Sequence, residues 1–462
     1  MAGRFFRKSE ASPVAAETVV ALKVPEPVRP APGVQAAYEP PDFVNERVTL
    51  HRFLIDKINL SILDTMEEDE IHEELRPLVR SYAKEHNFPL SASELDDLIV
   101  SIGDEMLGLG PIEPLLDDDT ISDILIVGAN TVFVERFGRL ERAKVRFKDE
   151  DHLLRIINKI VASVGRRVDE SSPLVDARLA DGSRVNVAIR PVAVDGPQVS
   201  IRKFAKRPYS LDRLVDNTAL APGMAALLAA AVEGKVSIVV SGGTGSGKTT
   251  MLNALSAYIP HDERLVTIED AAELQLQQPH VVRLETRPPT VDGRNEILQR
   301  DLVKNALRMR PDRIIIGEVR GGEAFDMLQA MNTGHEGSMS TIHANNPRDA
   351  ISRMEQMVGM AGMPMNQTSI RAQITSAIDL IVQLERLRDG TRRVTSISEI
   401  TGMEGDVVQL QEIMKFKRTG IDEDGRVLGS FRATGIRPRF LEDLQALGLL
   451  LNSDHFDPSK EL

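Results

Sequence analysis

The spacing of hydrophobic positions changes several times along the chain, and each change marks a segment. Residues 1–47 hold seven prolines, as in VPEPVRPAPGVQAAYEPP, without any apolar period, which predicts a disordered Pro-rich tail. From 48 to 108 the period becomes helical: Leu50, Leu54 and Ile58, then Ile71, Leu75, Leu78, Val79 and Tyr82, then Leu95, Leu98, Ile99, Ile102 and Met106. Ser91 and Glu94, just after Pro89, have the spacing of a capping box at the start of the third helix. A small helical bundle is expected.

Between 109 and 205 the runs ISDILIV, TVFVERFG, SRVNVAIRP and QVSIRKF read as strands around one helix near 151–164, separated by turns such as Asp181-Gly182. An N-terminal α/β domain on a mostly antiparallel sheet is the simplest assembly. Residues 206–220 read as a linker. From 221 to 420, apolar strands at 237–241, 264–269, 313–317 and 338–342 alternate with helical segments, the rhythm of a parallel sheet with crossover helices. The remainder, 421–462, carries a Gly- and Asp-rich turn and a short Leu-rich helix, FLEDLQALGLLL.

Composition narrows the classes. The 462 residues include no cysteine, which excludes disulfides and cysteine-based zinc sites and suits a reducing compartment. The nine histidines form no metal-ligand cluster, and no apolar run approaches the roughly 20 residues that span a bilayer. A net charge of −13, no Trp and only 4% aromatics argue against broad nucleic-acid binding. A soluble intracellular protein is expected.

The chemistry begins at 237–255, SIVVSGGTGSGKTTMLNAL. Gly242, four residues, then Gly247, Lys248 and Thr249 satisfy G-x-x-x-x-G-K-[ST], and the apolar strand before it and the helical spacing after it supply the required context. Glycines let the backbone aim N–H groups at phosphate oxygens, and the following helix adds its positive dipole end. Gly243, Thr244, Gly245, Ser246, Gly247, Lys248, Thr249 and Thr250 are therefore the expected ATP-binding residues. Lys248 suits the β and γ phosphates, and the Thr249 hydroxyl suits Mg²⁺.

Three further stretches narrow the job. LVTIEDAAEL, 265–274, ends a strand in Glu269, Asp270 and Glu273, carboxylates suited to orienting an attacking water. RPDRIIIGEVR, 310–320, delivers Glu318 to the same sheet edge, where it can hold Mg²⁺ through its water shell or pair with Arg320. TGHEGSMSTIHANNP, 333–347, sets His335 and His343 eight residues apart around a strand. Without a third ligand the pair is a poor zinc site, and hydrogen bonding near the γ-phosphate is the sharper expectation.

Together these stretches resemble the secretion ATPase superfamily of type II and type IV secretion systems and type IV pili, with the Tad-pilus CpaF subfamily the best match. The resemblance runs over about 95–420, from GLGPIEPLLDD through DESSPLVDARLADGSRVNVAI and SIRKF, and the four motifs stand in the family's order. TIEDAAEL looks like its Asp box, IIIGEVR its Walker B with Glu, and TGHEGSMSTIHANNP its His box. The resemblance implies a RecA-like C-terminal ATPase domain behind an N-terminal α/β, PAS-like domain. It implies Glu273 as catalytic carboxylate, Glu318 as Walker B acid and Mg²⁺ ligand, and His335 and His343 as His-box residues. Arg184 in SRVNV and Arg202 in SIRKF look like the arginines that close over the γ-phosphate.

Two departures stand out: the tetracysteine zinc motif of many assembly ATPases is absent, and EDAAE replaces the common EDP. The implied protein is a cytoplasmic homo-hexamer at the inner face of the inner membrane, docked on pilus platform proteins, that hydrolyses ATP to extend a Tad-type (type IVc) pilus. Retraction by the same motor is left open. Closure of the two α/β domains over nucleotide, hinged at 206–220, would transmit the work. The alternatives are a type II/IV secretion or conjugation-associated translocation ATPase, and a nucleotide-gated binding module with negligible turnover.

Overall fold

The computed structural model describes residues 50, 68–86, 91–106, 108–204, 209–287, 289, 294–460 and 462; the expectations for 1–47, Leu54, Ile58 and Pro89 fall outside them. Helices Glu68–Glu85 and Ala92–Met106 bury Ile71, Leu75, Val79, Leu95, Leu98, Ile99 and Ile102, the positions picked out by the helical period. The capping box at the second helix is formed: Ser91 N donates to Glu94 Oε2 at 2.8 Å and Glu94 N to Ser91 Oγ at 3.2 Å.

Six strands follow: β1 Ile121–Val127, β2 Thr131–Arg136, β3 Arg139–Arg142, β4 Leu174–Arg178, β5 Arg184–Ala188 and β6 Gln198–Arg202. Their order is β3-β2-β1-β6-β5-β4, and all neighbours are antiparallel. Period-2 alternation puts Ile124, Ile126, Val132, Val134, Val185, Val187, Val199 and Ile201 on one face, where they pack with Leu153, Ile157 and Ile160 of helix Glu150–Ser163. Asp149 caps that helix, accepting from His152 N at 2.8 Å.

The pleat leaves the opposite face polar. Glu135, Asp123, Arg202, Arg184 and Arg178 are successive cross-strand partners, so one charged row crosses five strands.

The second sheet has nine strands: β7 Ile238–Gly242, β8 Leu265–Glu269, β9 Val281–Glu285, β10 Arg313–Val319, β11 Met339–Ile342, β12 Leu380–Arg386, β13 Arg392–Glu404, β14 Val407–Ile421 and β15 Val427–Ala433. Their order is β15-β14-β13-β12-β7-β11-β10-β8-β9. From β12 to β9 all neighbours are parallel, and β12 to β15 form an antiparallel meander. Strands buried on both faces need helices on both sides, which is why β7, β8 and β11 are continuous apolar or small-residue runs. With β11 inserted between the glycine-loop strand and β10, and β12 on its other side, the domain is RecA-like.

Two boundaries differ from the sequence reading. Helix Leu211–Asp216 lies inside the expected linker, and Leu211, Leu214 and Leu220 are buried in the core of the nine-stranded sheet. Their apolar side chains dock residues 209–220 onto the ATPase domain, so these residues do not form a free hinge. At the other end, β14 crosses the expected boundary at 420/421, and Leu441 and Phe456 pack into the same core. The 421–462 segment completes that domain because its buried residues Leu441 and Phe456 join that core.

At the start of β10, Arg313 is fully buried, with Nε and Nη2 donating to Glu263 at 2.6 and 2.8 Å and Nη1 to the Val232 carbonyl at 2.6 Å. Among the described residues no helix is long and apolar enough to cross a membrane.

Candidate functional site

The glycine loop joins β7 to helix Lys248–Ser256 at the strand C-terminal edge. Gly242 has no room for a side chain: a Cβ there would stand 2.4 Å from Ser246 Oγ and 2.7 Å from the Leu384 carbonyl. Gly245 and Gly247 adopt φ of +67° and +96°, which L side chains rarely take. Ser246 Oγ and Lys248 Nζ donate to the Gly243 carbonyl at 2.9 and 3.1 Å, so the loop closes on itself. Gly243, Thr244 and Gly245 face solvent in whole or part, and Thr249 and Thr250 are half-buried.

Parallel pairing of β8 and β10 brings the acidic residues to the same edge. Lys248 Nζ lies 3.7 Å from Glu318 Oε1. Burial lowers the lysine pKa below its usual value, and Glu318 opposes that shift. Arg320 joins Glu318 to Asp270, donating from Nε to Glu318 Oε2 at 2.7 Å and from Nη1 to Asp270 Oδ2 at 3.1 Å. Glu318 thus lies between Lys248 and Arg320.

MgATP fits this donor set. The space beside Gly243 is open, Lys248 is the cation, and the Thr249 hydroxyl and Glu318 carboxylate are hard oxygen ligands.

Glu273 sits four residues beyond the end of β8, and Glu269 holds it there. Glu269 Oε2 accepts from the backbone N–H of Glu273 at 2.7 Å and of Leu274 at 3.0 Å. Burial pushes the Glu269 carboxyl up to about 7, against those two bonds.

From the other sheet, Arg184 Nη1 reaches Glu273 Oε1 at 2.8 Å. Arg184, Arg202, Tyr209, Thr249, Thr250 and Glu273 line one cleft. Arg202 is in that cleft but pairs with Asp123, Nε to Oδ1 at 3.3 Å.

The two histidines part company. His343 follows β11 at the phosphate edge, and its pKa is lowered by burial and by the positive charges of Lys248 and Arg353. Both effects favour the neutral imidazole, which accepts one hydrogen bond and donates another. His335 precedes β11, with Nδ1 3.2 Å from the Ala330 carbonyl. The four-residue strand between them crosses about 13 Å of sheet. His335 and His343 therefore flank β11 at its two ends.

Sequence reasoning missed several contacts. Arg178 of the charged row meets Glu285 at 3.1 Å. Arg392 Nε donates to the Gly245 carbonyl at 2.8 Å. The spacing of EDAAE marks Glu269 as a strand-end acid but says nothing of its burial.

This fold and site define a P-loop nucleotide-binding protein of RecA-like architecture. The sequence pattern of the type II/IV secretion system protein family matches residues 105–424, and the chain belongs to that family. A candidate conjugal transfer protein of Mycobacterium tuberculosis is 39% identical over 309 residues, covering 66% of this chain and 87% of that protein. The conjugal transfer protein TrbB of Rhizobium radiobacter is 35% identical over 315 residues, covering 68% and 92%. Among solved structures, the VirB11 ATPase of the Brucella suis type IV secretion system, in complex with sulphate, is 30% identical with a TM-score of 0.34, covering 62% of this chain and 94% of that one.

Proposed function

We propose that the chain is a motor ATPase that works as a homo-hexamer at the cytoplasmic face of the inner membrane. Lys248 and the loop 243–247 hold the β and γ phosphates, and Thr249 and Glu318 would hold Mg²⁺, which when bound would supply positive charge to the transferred phosphoryl group. Glu273 takes a proton from the water that attacks the γ-phosphorus in line, ADP leaves, and phosphate is the second product. Neutral His343 hydrogen-bonds the γ-phosphate, and Arg184 and Arg202 close over it.

The observation that carries this reading is the Arg184–Glu273 pair across the cleft that Thr249 also lines. Triphosphate entering that cleft competes with Glu273 for Arg184, so binding, hydrolysis and release alter the force between the two sheets. Since Leu211, Leu214 and Leu220 are buried in the core of the ATPase domain, these residues move with that domain during closure. Small-angle scattering of the full chain with MgATP and with MgADP tests the closure: a more compact particle with MgATP supports it, and identical profiles refute it.

For the machine driven, the motif set favours a Tad-type pilus, with platform membrane proteins as partners. A second reading, conjugation-associated translocation, is favoured by relatives that bear conjugal transfer names at 39% and 35% identity. DNA added to the purified protein separates them. A translocation motor gains ATPase rate with steep salt dependence, and a pilus motor is indifferent.

A further inference from the structure

The charged row of the N-terminal sheet touches the nucleotide domain at a second place, next to the glycine loop. At the β2 end of the row, Glu135 Oε1 lies 3.4 Å from Arg392 Nη2 and 3.9 Å from Arg386 Nη2. These arginines are cross-strand partners on β12 and β13. Arg386 also donates to the Gly138 carbonyl in the β2–β3 turn. The other edge of the Arg392 guanidinium, Nε, donates to the Gly245 carbonyl at 2.8 Å. A Cβ on Gly245 would stand 3.5 Å from Arg386 Nη1, and one on Gly247 would stand 3.6 Å from Arg392 Cδ. Both left-handed glycines of the loop therefore lie against this arginine pair.

Fork geometry matters here. A planar guanidinium that bonds a carboxylate with one edge and a carbonyl with another transmits the position of the first to the second. Gly245 has no side chain of its own to fix its peptide. The peptide that carries its carbonyl also carries the N–H of Ser246, which here donates to the Gly243 carbonyl at 3.4 Å and is the kind of donor a phosphate cradle uses.

We infer that Arg392 is a positioning residue through which Glu135 of the N-terminal sheet sets the Gly245–Ser246 peptide for phosphate binding. This rests on the ATPase reading above. Glu135 touches no phosphate in this scheme and acts through the arginine pair, chiefly the nearer Arg392. With Arg184 on Glu273, the row holds the site at two points, one acting on the attacking water and one on the phosphate loop.

A double-mutant cycle on the full chain tests this: Glu135→Gln, Arg392→Gln and both together, with MgATP affinity, kcat, KM and thermal midpoint measured for each. Each single change is expected to lower MgATP affinity and kcat/KM about fivefold, and the double change to cost no more than either single one. Arg392→Lys, which keeps the charge but loses the fork, is expected to match Arg392→Gln. The inference is overturned by wild-type affinity and kcat/KM in Glu135→Gln, or by losses that multiply to about 25-fold in the double variant. Wild-type protein that binds MgATP without turnover would defeat the proposed function, while the affinity arm of the cycle would still decide this inference.

Discussion

Arg184 Nη1 stands 2.8 Å from Glu273 Oε1, although one lies on β5 of the N-terminal sheet and the other in the loop after β8, 89 positions apart. The guanidinium is nearly half exposed and the carboxylate about a quarter, so solvent screens the pair and its worth to folding is small. Its value lies in what it faces. Arg184→Gln is expected to leave the thermal midpoint within a degree or two and to lower kcat about 10²–10³-fold, the usual cost of one missing transition-state donor. Steady-state phosphate release beside a thermal melt checks both halves.

Glu269 makes stability depend on pH. Its folded pKa of about 7 lies above the ordinary 4.5, so the folded state keeps a proton that the unfolded chain has lost. Its contribution is fully present below about pH 4.5 and falls as pH rises towards 7, in total by about 3 kcal/mol. Denaturant unfolding at pH 5.5 and 7.5 should show a larger drop in wild type than in Glu269→Gln. Equal drops would remove Glu269 as the titrating group.

Much of this architecture is legible in local spacing. The apolar run VSIVVS announces a strand buried on both faces, and the glycine spacing after it admits few other readings. What local spacing cannot supply is register between distant strands. Asp123 and Arg202 become neighbours because β1 pairs β6, and nothing in either segment specifies that partner. The row that carries Arg184 and Glu135 is a product of topology. The meander β13–β15 was absorbed into the parallel rhythm or the terminal segment because alternating half-exposed strands carry a weaker signal than continuous apolar ones.

Arg313 shows a different dependence, on burial. Arg313→Ala would leave the Glu263 carboxylate buried without its bidentate partner, at a cost of about 3–5 kcal/mol. Arg313→Met combined with Glu263→Leu removes both charges and should recover most of that loss. Denaturant midpoints of the single and double variants measure the difference.

The central claim is that this cleft hydrolyses ATP with Glu273 as the base, and phosphate release by Glu273→Gln against wild type tests it most directly. With Mg²⁺ and saturating ATP, the variant should bind ATP at least as tightly as wild type, since the carboxylate that competes for Arg184 is gone, and release phosphate about 10²–10⁴-fold more slowly. Equal release by the two proteins would contradict the account.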